Sequence, residues 1–420
     1  MFKARRSFPK LSAAALSAAL LLAATAAGLL SPQIGHAGEA RAATYLTLDR
    51  PVGAEEIKIG LCNAQTGRIA SLGSGAKLGV EALFAQVNAA GGVNGRKLRL
   101  VAYDDLYEPL NSVVATNKLI NDDRVFALCS TVGTPTTQAV VPMLNEAGLP
   151  LVGALSGAES LRNPANPLVF NVRAGYAQET QALVDHLVAD CGVKKIAVFV
   201  QADGYGDAIT RGVERALKSH ALALAGRGAY VRNSTDVDDA LAALTAAQPE
   251  AVIMGGSYPA CAAFVKAAQQ QANFAPYYCS VSFVGTEPFI AAAGGAAEGV
   301  YISQVMPDPL DASNALVKDY QAAMRAMGQS VFTYSSLEGY ANAWVLVEGL
   351  RAAGQELTVE KFIGALESLQ LDLGGQPCAF GPSNRQGLRQ IYLTKITGGK
   401  AVPVAGFGSA ADKAVASTQH

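Results

Sequence analysis

The sequence predicts an α/β fold built as two doubly wound parallel-sheet lobes, and three observations carry that prediction. Short apolar runs alternate with amphipathic stretches, the alternation starts afresh near residue 168, and the turns after the strands are rich in hydroxyls, glycine and aromatics. The chain has 420 residues, half of them hydrophobic but only 7% aromatic, with 42 glycines. Such a chain buries a large core, more than one domain normally holds. Few aromatics and many small residues suit helices packed tightly on parallel sheets better than a β-sandwich.

The first strand is 57–62 (IKIGLC), a short apolar run. A loop rich in Gly and Ser follows, then a helix in which Val80, Leu83, Phe84 and Val87 recur at helical spacing. The turn GGVNGR (91–96) leads to a second strand at 97–103, and DDLYEP (104–109) sits at its carboxyl end before a helix that runs to about Asn121. The stretch 125–161 then reads strand, polar turn, helix, strand, polar turn, helix. Thr134 before Pro135 suits an N-cap followed by the first helical position, and Ser156 with Glu159 has capping-box spacing. Two helix N-termini side by side at one edge of a parallel sheet would hold an anionic group such as a carboxylate.

A second unit begins after LVFNVR (168–173). Its strands are expected at 196–200, 222–230, 251–254 and 277–280, with the polar strand ends QADGYGD (201–207), GGSYP (255–259) and SFVGTEP (282–288). A strand at 299–304 is followed by three helices near 314–327, 335–353 and 359–369, and a final strand at 390–396. The extended passages at 168–173, 299–305 and 376–382 are the natural hinges between lobes.

The N-terminus reads as an export signal rather than as fold. Lys3, Arg5, Arg6 and Lys10 precede an Ala/Leu-rich stretch (11–30), and Gly35-His36-Ala37 forms a small-x-Ala cleavage site. Its length also raises a membrane anchor, against which the alanine content and the cleavage site argue. Sec and Tat export both remain open, since the paired arginines resemble a twin-arginine signal with Ala4 and Pro9 out of pattern. No Cys lies near the cleavage site, so a lipoprotein is not expected; a soluble periplasmic protein is. Removal of 1–37 takes the net charge from -1 to -5. No basic patch recurs, so no nucleic-acid partner is expected.

Six cysteines in an exported chain suggest bridges, with Cys62–Cys129 and Cys261–Cys279 as the candidate pairs and buried thiols as the alternative. No CxxC motif or Cys/His cluster offers a metal site, and no cofactor motif is present. G-x-S-x-G is missing, and Asp203, Asp207 and Glu287 have no His partner, so no catalytic constellation is visible and an enzyme is not expected.

Several segments, in order and spacing, resemble the periplasmic substrate-binding proteins of ABC importers, in the branched-chain amino-acid and amide (Leu/Ile/Val-binding) group. They are GGVNGRKLRLVAYDD (91–105), DDLYEP (104–109), GTPTTQAVVPMLNEAGLP (133–150), SGAESLR (156–162), SFVG (282–285), QVMPDP (304–309) and SLEGY (336–340). The resemblance spans about 57–404 and implies the type I fold, two lobes joined by three hinge strands with ligand between them. It implies an N-terminal lobe of 54–170 plus 305–376, a C-terminal lobe of 171–304 plus 377–406, and a polar tail at 407–420. It places the ligand carboxylate at Gly133, Thr134, Ala154 and Ser156, with Gly157 replacing Ser156 if the turn slips by one residue. In the second lobe it places ligand contacts at Tyr205 with Asp203 nearby, at Ser257 (a position often aromatic) and Tyr258, and at Ser282 and Phe283. The acid that grips a ligand ammonium in this group falls near Val281 or Ser282 and is missing here. Either Asp203 substitutes or the ligand lacks an amine, because a buried ammonium without a carboxylate is costly.

The expected function is therefore capture of a small carboxylate-bearing solute (amino acid, amide or organic acid) by a monomer that delivers it to a membrane permease. A ligand-sensing module that feeds a signalling partner is the first alternative, and an enzyme on the same two-lobed scaffold ranks below it. Arg68 is assigned to solvent and Trp344 to packing.

Overall fold

The computed structural model describes residue 50 and residues 52–162 and 166–408. The expected export signal, and the tail beyond Gly408, lie outside the described residues.

Strands β1 (Glu56–Asn63), β2 (Lys97–Asp104), β3 (Ala127–Cys129), β4 (Leu151–Val152) and β5 (Val169–Phe170) form a five-stranded sheet in the order β2-β1-β3-β4-β5, all parallel. Helices α1 (Ala70–Ala89), α2 (Pro109–Asn121) and α3 (Thr134–Ala147) connect its strands. Apolar residues bury both faces of the central strands, as parallel crossovers require.

The second sheet holds β6 (Ile196–Gln201), β7 (Gly226–Tyr230), β8 (Ala251–Gly255), β9 (Tyr277–Ser280) and β10 (Tyr301–Gln304), with β13 (Tyr392–Thr397) and β14 (Lys400–Val404) added antiparallel at one edge. Its helices are α4 (Tyr176–Ala189), α5 (Gly204–Ser219), α6 (Asp238–Ala247), α7 (Tyr258–Ala268) and α8 (Thr286–Ala293). Helices α9 (Ala315–Ala326), α10 (Tyr334–Ala353) and α11 (Val359–Ser368) return to cover the first sheet, and β11 (Gln370–Asp372) pairs with β12 (Pro377–Ala379) apart from both sheets.

Helix limits follow local chemistry. Asn314, Thr333 and Thr358 cap α9, α10 and α11 by accepting from backbone N–H groups. Gly148, left-handed at φ 60, ends α3. Helix α1 crosses α10 closely through glycines: a Cβ on Gly79 would lie 1.9 Å from the Ser336 carbonyl oxygen, and one on Gly339 would lie 2.1 Å from that of Ala76.

Three expectations are corrected. Cys62, Cys129 and Cys261 are free thiols, so neither candidate disulfide exists. Gly60 lies opposite Leu128, which places Cys129 opposite Leu61 and one residue out of phase with Cys62; strand alternation then sends the two thiols to opposite faces. Cys261 and Cys279 likewise pack on opposite faces of the second sheet. The helix expected after Ser156 is a single 3-10 turn at Glu159–Leu161, so only one of the two expected N-termini belongs to a full helix. The third crossover lies between Leu388, packed in the first lobe, and Tyr392 in β13, later than 376–382; it runs beside the first, where Asn171 bridges to Gln386.

Candidate ligand site between the lobes

Because β1–β5 in one sheet and β6–β10 in the other run parallel, their strand ends discharge their turns along one edge of each sheet, and the two edges face each other. In the first lobe, Gly133 (φ 101) N-caps α3 and Pro135 occupies its first turn. Thr134 is thus the first helical residue, not the cap, and its hydroxyl is turned away to Ser156, 2.8 Å from Oγ to Oγ1. Both side chains are fully buried. Ser156 Oγ also accepts from the Ala158 amide, the Ser156 amide donates to the Ala154 carbonyl, and the Gly133 amide donates to the Leu155 carbonyl. The Tyr176 hydroxyl lies beside Thr134 and the Gly157 backbone and has no hydrogen-bond partner among the described residues. Behind this turn, Arg162 donates to the carbonyls of Ser156 and Arg173; burial, then the neighbouring Arg173, lower its pKa to about 9.

The second lobe contributes differently from expectation. Asp203 N-caps α5 by accepting from the Tyr205 amide, and its other oxygen accepts from Gln201 and pairs with Arg232 at 3.1 Å. It is committed to protein partners. Tyr205 is fully buried, 4.8 Å from the Phe283 ring and 5.3 Å from the Tyr176 ring, and its hydroxyl has no partner. Ser257 is buried beneath Tyr230, whose hydroxyl accepts from the Ser257 amide and donates to Gln201. Tyr258, the first residue of α7, is half-buried and packs against the apolar clusters on both faces of its sheet. Arg68 is exposed and Trp344 is half-buried against the first-lobe core.

Ser282 meets a guanidinium instead of a ligand ammonium. Arg173, 2% exposed, donates to Ser282 Oγ, to Glu179 at 2.8 Å and to Glu338 at 3.4 Å. Burial acts to lower the Arg173 pKa, but the charges of Glu338 and Glu179 outweigh it and the net shift is upward. Glu179 is saturated: it also accepts from the Ser282 amide, the Ser282 hydroxyl and Ser303. Among the described residues Glu338 has one long hydrogen bond, from Arg173, and burial raises its pKa despite that neighbour. Arg173, Glu338, Ser282, Phe283, Leu155 and Leu72 line the small cavity left between the lobes, about a water or two in size. Among the described residues no cluster of His, Cys, Asp or Glu could hold a metal ion.

The structure therefore brings Thr134 and Ser156 together, with Tyr205 and Phe283 nearby, and draws Asp203 and Ser257 into the protein's own hydrogen bonds. Sequence reasoning missed Tyr107, Tyr176, Arg173, Glu179 and Glu338. Arg173 and Glu338 lie in LVFNVR and SLEGY, but 165 residues separate them, and no local pattern announces the pairing. Tyr107 lies within DDLYEP, a strand-end turn whose pattern does not show which side chain enters the cleft.

The sequence model of the periplasmic binding protein family matches residues 56–401. The leucine-, isoleucine-, valine-, threonine- and alanine-binding protein of Pseudomonas aeruginosa is 26% identical over 316 residues, covering 75% of this chain and 83% of its own. Among solved structures, a possible leucine/isoleucine/valine-binding protein from Rhodopirellula baltica SH 1 superposes with TM-score 0.80 at 34% identity, covering 84% of this chain and 98% of that one. A substrate-binding periplasmic protein from Ralstonia solanacearum superposes with TM-score 0.78 at 31% identity, covering 83% and 100%. The resemblance read from the sequence motifs, and the type I two-lobed α/β fold it implied, are borne out.

Proposed function

Because the chain belongs to the periplasmic binding protein family, we propose that it is a periplasmic receptor that captures a small carboxylate-bearing solute between its lobes and delivers it to the permease of an ABC importer. The observation that carries this reading is the buried Thr134–Ser156 hydroxyl pair beside Tyr176, whose ring lies 5.3 Å from that of Tyr205, with neither tyrosine hydroxyl partnered among the described residues. Buried donors without partners cost free energy until something fills them, and a carboxylate accepts from several at once. The α3 N-terminus and the Arg162 guanidinium make this end electropositive. No bond is broken: contacts from both lobes favour the closed arrangement, and ligand shifts an open–closed equilibrium. Relatives named for branched-chain amino acids favour that class. The spare acceptor capacity of Glu338 supports an ammonium-bearing ligand over a plain organic acid. Calorimetry with alanine, valine, leucine, isoleucine and the matching 2-oxo acids tests this. We expect at least one amino acid to bind more tightly than its 2-oxo acid. Binding by no member of the panel refutes the carboxylate reading.

A further inference from the structure

The loop 104–108 is held in an unusual conformation. Leu106 (φ 56) and Tyr107 (φ 61) are consecutive left-handed residues, although neither is glycine. Such bulky residues avoid this region unless their surroundings enforce it. Two carboxylates enforce it here: Asp104 accepts from the amides of Leu106 and Gln65, and Asp105 accepts from the Tyr107 amide and Ser112 Oγ.

The strained turn drives Tyr107 into the cleft, where it is fully buried. Its ring lies against Gly133, so closely that a Cβ there would be 2.3 Å from it, and 6.1 Å from the Phe283 ring of the second lobe. Four hydrogen bonds leave this loop for the second lobe: Tyr107 accepts from Gln201, Glu108 accepts from Arg232 and from Asn233, and the Leu106 carbonyl accepts from Asn233. Gln201 continues to Tyr230 and Ser257, so one polar chain links Tyr107, whose ring packs on the Gly133 cap of α3, to the second-lobe turns.

We propose that Tyr107 is the specificity-determining residue of the cleft. Its ring limits what can sit at the N-terminus of α3, and its loop is the latch that transmits that fit to lobe closure. The size-limiting part rests on the solute-receptor reading; the latch does not.

Small-angle X-ray scattering of the full ligand-free chain tests the latch. The ligand-free wild type should hold a measurable closed fraction, and the Tyr107→Phe/Glu108→Gln double variant should lower its closed-to-open ratio about tenfold. Arg215→Gln, which breaks the exposed interlobe pair with Glu159, should leave the ratio within about twofold. A wild type with no closed fraction at all, or a double variant as closed as wild type, overturns the latch. So does an Arg215→Gln effect of equal size. Calorimetry with alanine, leucine and phenylalanine tests the size limit: Tyr107→Ala should shift preference toward the larger side chains by about tenfold, and an unchanged order of preference overturns it. If neither protein binds any of the three, the size-limit claim fails, while the wider panel still decides the solute reading and scattering the latch.

Discussion

Asp105 shows how a residue can serve geometry at the expense of its own charge. Its carboxylate is 1% exposed and holds Tyr107 and Ser112, and burial, opposed in part by those hydrogen bonds, raises its pKa from 3.8 to about 6. The folded protein therefore binds this proton more tightly than the unfolded chain. The associated stability is fully present below about 3.8 and is lost as pH rises through about 6, a change of roughly 3 kcal/mol. Urea unfolding of wild type and Asp105→Asn between pH 4 and 7 should show the difference between them falling by about that amount; a pH-independent difference contradicts it. At the opposite wall, Thr134→Ala and Ser156→Ala should each weaken the best-binding carboxylate by about 1–3 kcal/mol in calorimetry. Thr134→Ala should also lower the melting temperature modestly, through loss of its buried hydrogen bond to Ser156 and not through loss of a cap.

At the scale of elements, what was legible is what neighbours in sequence decide. The apolar run 57–62 and the helical spacing of Val80, Leu83, Phe84 and Val87 reappear as β1 and α1, because burial of a strand or a helix face imposes its period directly. The Ser156–Glu159 spacing was legible but misleading: the chain turns away after one 3-10 turn to form β5, and a cap signal says nothing about length. Arg173, Glu338 and Tyr107 were illegible as a site because each acquires its role from a partner more than 90 residues away. The α1–α10 crossing was equally hidden, since no motif tells a packing glycine from a turn glycine. A methyl at position 339 has to displace the α1 backbone. Gly339→Ala should therefore cost about 1–3 kcal/mol in urea denaturation despite the higher helix propensity of alanine. A stabilised variant would show that the helices separate freely.

For the whole molecule, the question is what makes two lobes with separate sheets behave as one hinged body. Arg173 sits on the first crossover and gathers Glu179 from the start of α4, Ser282 from the second lobe and Glu338 from α10 of the first. A buried ion network of this kind contributes little net stability when complete, but removing its centre leaves uncompensated charges. Arg173→Met keeps much of the volume and strands Glu179 and Glu338 together. It should destabilise the protein by about 3–5 kcal/mol at neutral pH. The deficit should shrink as pH falls, because a carboxylate deprived of its cation and facing another carboxylate has a raised pKa and protonates first. Parallel thermal melts of variant and wild type at pH 5 and pH 8 should therefore show the smaller gap at pH 5. A gap that is equal at both values, or wider at pH 5, would mean that Arg173 acts by packing alone and that the lobes are joined by their three crossovers without an ionic tie.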